Sequence, residues 1–149
     1  MNKKKMRLYG DRKMSLFVSV GNRRFEIGSA SFLKAWFSTI YIRLEHGNWG
    51  SRFPLIMKGF YSGSLPLTHA AEAKKELLTI RDELSEFLPN QIVWDFEDLN
   101  TAPPWGNRIS PAITSLGNYF VTSDGKDLFD VLLLAFEESA KNQRDIIIS

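Results

Sequence analysis

The order of apolar and polar positions divides the chain into a short list of elements. Leu16-Phe17-Val18-Ser19-Val20 and Arg24-Phe25-Glu26-Ile27 alternate apolar and polar residues on either side of Gly21-Asn22-Arg23, which predicts a β-hairpin. The period then changes. Phe32, Trp36, Ile40 and Leu44 recur every four residues with Leu33, Phe37 and Tyr41 beside them, so a helix is expected over Ser31–His46, stopped by Gly47. Its broad aromatic face has two readings, a ligand groove or core, and ordinary helix packing favours core. A second stripe, Ala70, Ala73, Leu77, Ile80, Leu84 and Phe87, predicts a half-buried helix over His69–Leu88, with Thr68 as N-cap and Pro89 as stop. Its other face carries Glu72, Lys75, Glu76, Asp82, Glu83 and Glu86.

Between these helices, Trp49–Ser64 has no clear period. It reads as an irregular Gly-rich, aromatic segment in which Pro54 opens a short helix through Met57. Such a loop can wrap the core or offer Trp and Tyr as interface anchors.

The organising stretch lies further on, from Val93 to Asp130. Gln91–Trp94 reads as a short strand, and Asp95, Glu97 and Asp98 crowd behind it. Pro103-Pro104-Trp105-Gly106 makes a stiff corner. Ser110–Pro111 has the form of a helix start, so a short helix is expected over Pro111–Leu116. A strand is expected at Asn118–Thr122 and a turn at Ser123-Asp124-Gly125, with Asp124 as a helix-start residue. The most apolar helix follows, over Lys126–Lys141, and Asp145–Ile148 is expected as a closing strand. Together these elements predict one α+β domain over residues 14–149, a mostly antiparallel sheet packed against three main helices.

Composition supports that reading. In a chain of 149 residues, 44% apolar and with no cysteine, a single domain can bury roughly 70% of the surface it would expose unfolded. Disulfides and thiolate metal sites are excluded. Residues 1–13 hold six Lys/Arg and one acid, as a basic arm for nucleic acid or membrane would, although a terminal segment that frays is the expectation. Met6 and Met14 are alternative starts. The basic opening lacks the apolar run of a signal peptide, and no run of about 18 apolar residues occurs, so a soluble, cytoplasmic protein is expected.

Charge changes the picture more. Residues 1–71 carry 12 basic against 3 acidic side chains, and residues 72–149 carry 7 against 14. The later half can therefore present an acidic face, which would speed association with a basic partner.

Familiar catalytic patterns fail one by one. Gly125-Lys126 lacks the spacing and the following hydroxyl of a phosphate-binding loop: seven residues separate Gly117 from Gly125, and Asp127 follows the lysine. His69 and Glu72 share a helical face, but position 73 is Ala where a second histidine is needed for a zinc site, and His46 is far along the chain. No Gly-x-Ser-x-Gly elbow supports a Ser-His-Asp triad. The pairs Asp95/Glu97 and Asp124/Asp127 read as solvated caps rather than an acid–base couple. Arg23 and Arg24 have no nucleic-acid recognition motif around them, and the acidic later half would repel phosphate. The expectation is a non-enzyme with no cofactor and no metal, binding neither nucleic acid nor membrane.

The ordered set Gly28-Ser29-Ala30-Ser31-Phe32-Leu33, Asn48-Trp49-Gly50, Val93-Trp94-Asp95, Pro103-Pro104-Trp105-Gly106 and Asn118–Gly125 resembles the bacterial immunity protein 70 family, from roughly Met14 to Ala140. That resemblance implies an antitoxin that neutralises a cognate toxin encoded by a neighbouring gene, one with an LXG-type export domain and a C-terminal toxic domain such as a nuclease. A toxin of that kind would be basic, which makes Asp95, Glu97 and Asp98 the candidate toxin-binding face, with Trp94 and Trp105 as candidate aromatic anchors. For Trp94, core packing is the stronger expectation. A protein-binding adaptor unrelated to toxins is the alternative, and a homodimer is left open.

Overall fold

A computed structural model describes residues 15–149. The basic segment 1–13 and the alternative starts lie outside the described residues. Strands β1 (Leu16–Val20) and β2 (Arg23–Gly28) form the expected antiparallel hairpin. Gly21 turns it with a φ of +60°, the positive value that tight hairpin turns use. Two more strands complete one antiparallel sheet: β3 (Ser64–Leu65), which the sequence pattern does not announce, and β4 (Ile146–Ile148). The strand order is β2-β1-β4-β3. Leu16, Val18, Val20, Phe25, Ile27, Leu65 and Ile146 turn inward from the sheet and are buried. On the other face Arg24 lays its guanidinium over the Phe17 ring.

Three α-helices give the α+β class expected: α1 (Ala30–Thr39), α2 (Ala70–Leu84) and α3 (Leu128–Asn142); α1 and α3 pack on the sheet, and α2 packs chiefly on α3. In α1 the Ser29 hydroxyl caps the helix by accepting the Phe32 amide. The stripe Phe32, Trp36, Ile40 and Leu44 is buried, so the aromatic face is core. The helix is not one continuous α-helix to His46. Over Ile40–Leu44 it widens into a π-helical turn, closed where the Glu45 amide donates to the Ile40 carbonyl. Just before this, the Ser38 and Thr39 hydroxyls donate to the carbonyls of Lys34 and Ala35, a habit that bends helices. After Pro54 comes a second π-helical segment, Leu55–Gly59, in place of a short helix ending at Met57.

The same two hydroxyls explain why Gln91–Trp94 is not a strand. Pro89–Gln91 makes a single 3-10 turn. The Val93 amide and carbonyl then both bond the Thr39 hydroxyl, at 3.2 and 3.0 Å, and the Phe96 amide donates to the Ser38 hydroxyl at 3.0 Å. With its backbone groups satisfied by side chains of α1, the segment has no need of a neighbouring strand.

Four further expectations are corrected. Pro111–Leu116 forms turns rather than a helix, because the Asn118 side chain takes the amides of Thr114 and Ser115 and donates to the Ala112 carbonyl. Asn118–Thr122 contributes one isolated bridge, Val121 to Asp127, as the chain doubles back into α3. Thr68 does not cap α2. It sits in a 3-10 turn, Leu67–His69, fixed by the Asp145 carboxylate on the Leu67 amide, and the helix begins at Ala70. That helix ends at Leu84 rather than Leu88: the Glu86 and Phe87 amides turn to the carbonyls of Glu83 and Leu84, three residues back, and the Phe87 carbonyl, free at the helix end, accepts the Leu116 amide. Gly117 packs so closely on Ser85 that a Cβ there would lie 2.9 Å from the serine Cβ.

The start of α3 is set by Asp127, not Asp124. Its carboxylate accepts the amides of Phe129 and Asp130 at 2.9 and 3.2 Å. Asp127→Ala is expected to lower the unfolding free energy by about 1 kcal/mol in urea denaturation, with Asp127→Asn restoring most of it. An alanine variant as stable as the parent would show that packing alone holds the helix end.

One buried carboxylate organises the loop after α1. Glu45, only 2% exposed, accepts the Gly50 amide on Oε1 at 2.9 Å and the amides of Arg52 and Phe53 on Oε2, each at 3.1 Å. Glu76, on α2, does the same for Leu55 and Ile56. Burial pushes the Glu76 carboxyl above the ordinary glutamate value, against the pull of these two amides.

Candidate partner-binding surface

The segment after Val93 presents its residues in two directions. Trp94 points inward and is 7% exposed. Its ring meets that of Trp105 edge to face at 5.1 Å, and the Trp105 indole N–H donates to the Tyr119 hydroxyl at 2.9 Å. Burial pushes the Tyr119 phenol above its usual value. The corner Pro103–Gly106, closed by the Gly106 amide on the Pro103 carbonyl, holds Trp105 at the surface, 37% exposed. Grooves of about 230 Å³ and 670 Å³ adjoin Trp105 and Tyr119; both are lined by Ile109 and Tyr119, and among the described residues Arg108 is the only charged side chain that lines either.

The carboxylates point the other way. Asp95 folds back to accept the Glu97 amide, and Asp98 accepts the Asn100 amide, so each holds a local turn. Neither this motif nor the tryptophans hint at the fourth participant. Lys34 of α1 places its ammonium 2.5 Å from Glu97 Oε1 and 3.2 Å from Asp95 Oδ1, and 5.1 Å from the centre of the Phe96 ring. Partial burial works against this charge, but the bonds to Glu97 and Asp95 outweigh it and hold the lysine pKa above normal. The local balance is one cation against three carboxylates, so the acidic character survives in reduced form. Asp98 and Glu97 remain exposed.

Beside Lys34 lies a cluster of rings from four separate segments: Tyr41, Trp49, Tyr61 and Phe96. Trp49 is central, with ring centres at 4.9 Å from Tyr41, 4.8 Å from Tyr61 and 5.0 Å from Phe96. Its indole N–H is satisfied by the Met57 carbonyl. The four rings are half-buried, with Tyr61 the most open. Burial pushes the Tyr61 phenol up, and Lys34 and Glu97 both act on it electrostatically with opposite sign. The structure thus joins the acidic segment to the aromatic loop 49–64, two features that sequence spacing keeps apart.

Other candidate chemistry is occupied elsewhere. Arg23 pairs with Glu138, and Arg24 stacks on Phe17. Gly125-Lys126 is a turn into α3, the Gly125 amide donating to the Thr122 carbonyl. Among the described residues no group of three or more His, Asp or Glu is placed to hold a metal ion, and no helix is long and apolar enough to cross a membrane.

The sequence model of the immunity protein 70 family matches residues 18–148, from the middle of β1 to the end of β4. The chain belongs to that family. Membership in the immunity protein 70 family makes it an immunity protein, a class defined by binding a cognate toxin. The match takes in the hairpin, all three helices, the loop 93–98 and the Trp105 corner. No curated protein and no solved structure matches the chain.

Proposed function

We propose that this immunity protein binds the C-terminal toxic domain of an LXG-type toxin encoded beside it, and thereby protects the producing cell during bacterial competition. Binding is stoichiometric and takes place in the cytoplasm, without turnover and without a cofactor. The toxic domain is a nuclease, whose phosphate-binding surface is basic. The toxin-facing segment consists of Asp95, Glu97 and Asp98, with Trp105 exposed at the neighbouring corner and Trp94 beneath it as the support that fixes its ring.

Family membership over most of the chain carries this reading. The local geometry supports the choice of face. Three carboxylates against one lysine leave net negative charge beside half-exposed rings, the pairing of steering charge and aromatic anchors that protein interfaces use.

Co-expression of the chain with the neighbouring toxic domain in a sensitive host, followed by co-purification, tests the function. Restored growth with a one-to-one complex is expected; growth without a complex would indicate an enzymatic antidote instead. The face is tested by reversing charge at Asp95, Glu97 and Asp98 to lysine. Affinity is expected to fall at least about tenfold and to become less sensitive to salt, mostly through slower association. If affinity and its salt dependence stay as they were in a variant that still melts cooperatively, the toxin contacts another surface.

A further inference from the structure

We infer that the ring cluster Tyr41–Trp49–Tyr61–Phe96 receives an arginine-bearing loop of the protein partner, the guanidinium lying against Tyr61 and pairing with Glu97. The inference rests on the toxin-binding reading and specifies what that surface recognises.

The rings are packed against one another before anything binds. They come from the turn that ends α1, the loop after it, the 3-10 turn Phe60–Ser62 and the loop 93–98, and they lock one another at tilted and edge-to-face angles of 49° to 82°. Trp49 cannot rotate away without giving up its bond to the Met57 carbonyl. A surface whose aromatic side chains are already ordered loses little entropy when it is covered, which is the property of interface anchor points.

The charge around the rings narrows the occupant. Lys34 already shows that a cation is accommodated here, above Phe96 and between two carboxylates. It does not saturate the site. Glu97 is 54% exposed, and Lys34 uses only its Oε1; among the described residues Oε2 accepts no hydrogen bond. A second cation can therefore pair with the free oxygen while its flat face covers Tyr61. A guanidinium meets both demands at once, because it is planar, weakly hydrated and able to stack while it donates; an ammonium satisfies only the charge. A purely apolar segment would bury the free Glu97 oxygen and the negative charge that Lys34 leaves unbalanced, and a nucleic acid would bring phosphate against the carboxylates.

The test uses the full chain and the neighbouring toxic domain in titration calorimetry and stopped-flow binding. Tyr61→Ala is expected to weaken binding about 30-fold, as loss of an interface anchor does, while Tyr61→Phe keeps the ring and stays within about threefold. Glu97→Gln is expected to weaken binding about tenfold, with a shallower salt dependence, and is mild enough to leave the fold intact. When each toxin arginine and lysine in turn is replaced by methionine, the Glu97→Gln effect is expected to vanish for one of the arginines. Parent protein that binds while Tyr61→Ala and Glu97→Gln both bind within about twofold would overturn this inference and leave the immunity reading standing. Coupling to a toxin lysine instead of an arginine would overturn the choice of guanidinium. Absence of binding by the parent protein itself would remove both.

Discussion

Replacing Glu45 with alanine is expected to lower the free energy of unfolding by about 4 kcal/mol. Three backbone amides converge on this carboxylate, and two of them belong to the buried residues Gly50 and Phe53. Hydrogen bonds to a charged group contribute about 1.5–3 kcal/mol each, and the amides left behind would have neither the carboxylate nor water. The loop from Asn48 to Phe53 would have to open to hydrate them, and that would draw the buried Phe53 out of the core. Glu45→Gln separates charge from shape: one oxygen remains, but its amide N–H₂ would face an N–H, so about 2 kcal/mol is the expected loss. Urea denaturation of both variants decides the matter. A loss below 1 kcal/mol for the alanine variant would mean that the loop is held by its apolar contacts alone.

Trp36 is expected to show an unusual pair of substitutions. The side chain is fully buried, with the rings of Phe37, Phe60 and Phe129 at 5.0, 6.4 and 5.8 Å. Trp36→Ala should destabilise by about 4 kcal/mol, the usual cost of removing a large aromatic side chain from a core. Yet among the described residues the indole N–H has no hydrogen-bond partner. A buried, unpaired donor costs about 1–3 kcal/mol, so Trp36→Phe deletes a penalty along with some packing. The phenylalanine variant is therefore expected within about 1 kcal/mol of the parent in the same urea experiment. If it instead falls as far as the alanine variant, the indole volume matters and the orphaned N–H does not.

The elements legible in the sequence are those whose hydrogen bonds close locally. The hairpin at Leu16–Gly28, the stripe Phe32–Trp36–Ile40–Leu44 and the stripe Ala70–Leu84 each state their partner face in their own period. The errors fall where a side chain far along the chain satisfies the backbone. Thr39 bonding Val93 from 54 residues away turns an apparent strand into a strap on α1. Asn118 similarly dissolves the helix that Ser110–Pro111 suggests. For the binding surface, the carboxylates at 95, 97 and 98 were visible as a cluster, whereas Lys34 sits on a helix where a lone lysine reads as solvated. Nothing in its neighbourhood points to Glu97, 63 residues later. The uneven charge of the two halves also finds its explanation in three dimensions. Arg23 with Glu138, Lys34 with Asp95 and Glu97, and Arg52 with Glu83 are all pairs between the basic half and the acidic half.

The place of β4 in the sheet has a consequence for the order in which the sheet assembles. Formed by residues 146–148, it lies between β1 and β3 and joins the two, while the Phe17 and Ser149 backbones bond each other beyond it. A ribosome synthesising this chain therefore releases the hairpin long before the strand that connects it to the rest of the sheet. Closing that gap is a long-range event, the kind that slows folding relative to local helix formation. The four-stranded sheet is complete only after β4 has cleared the exit tunnel.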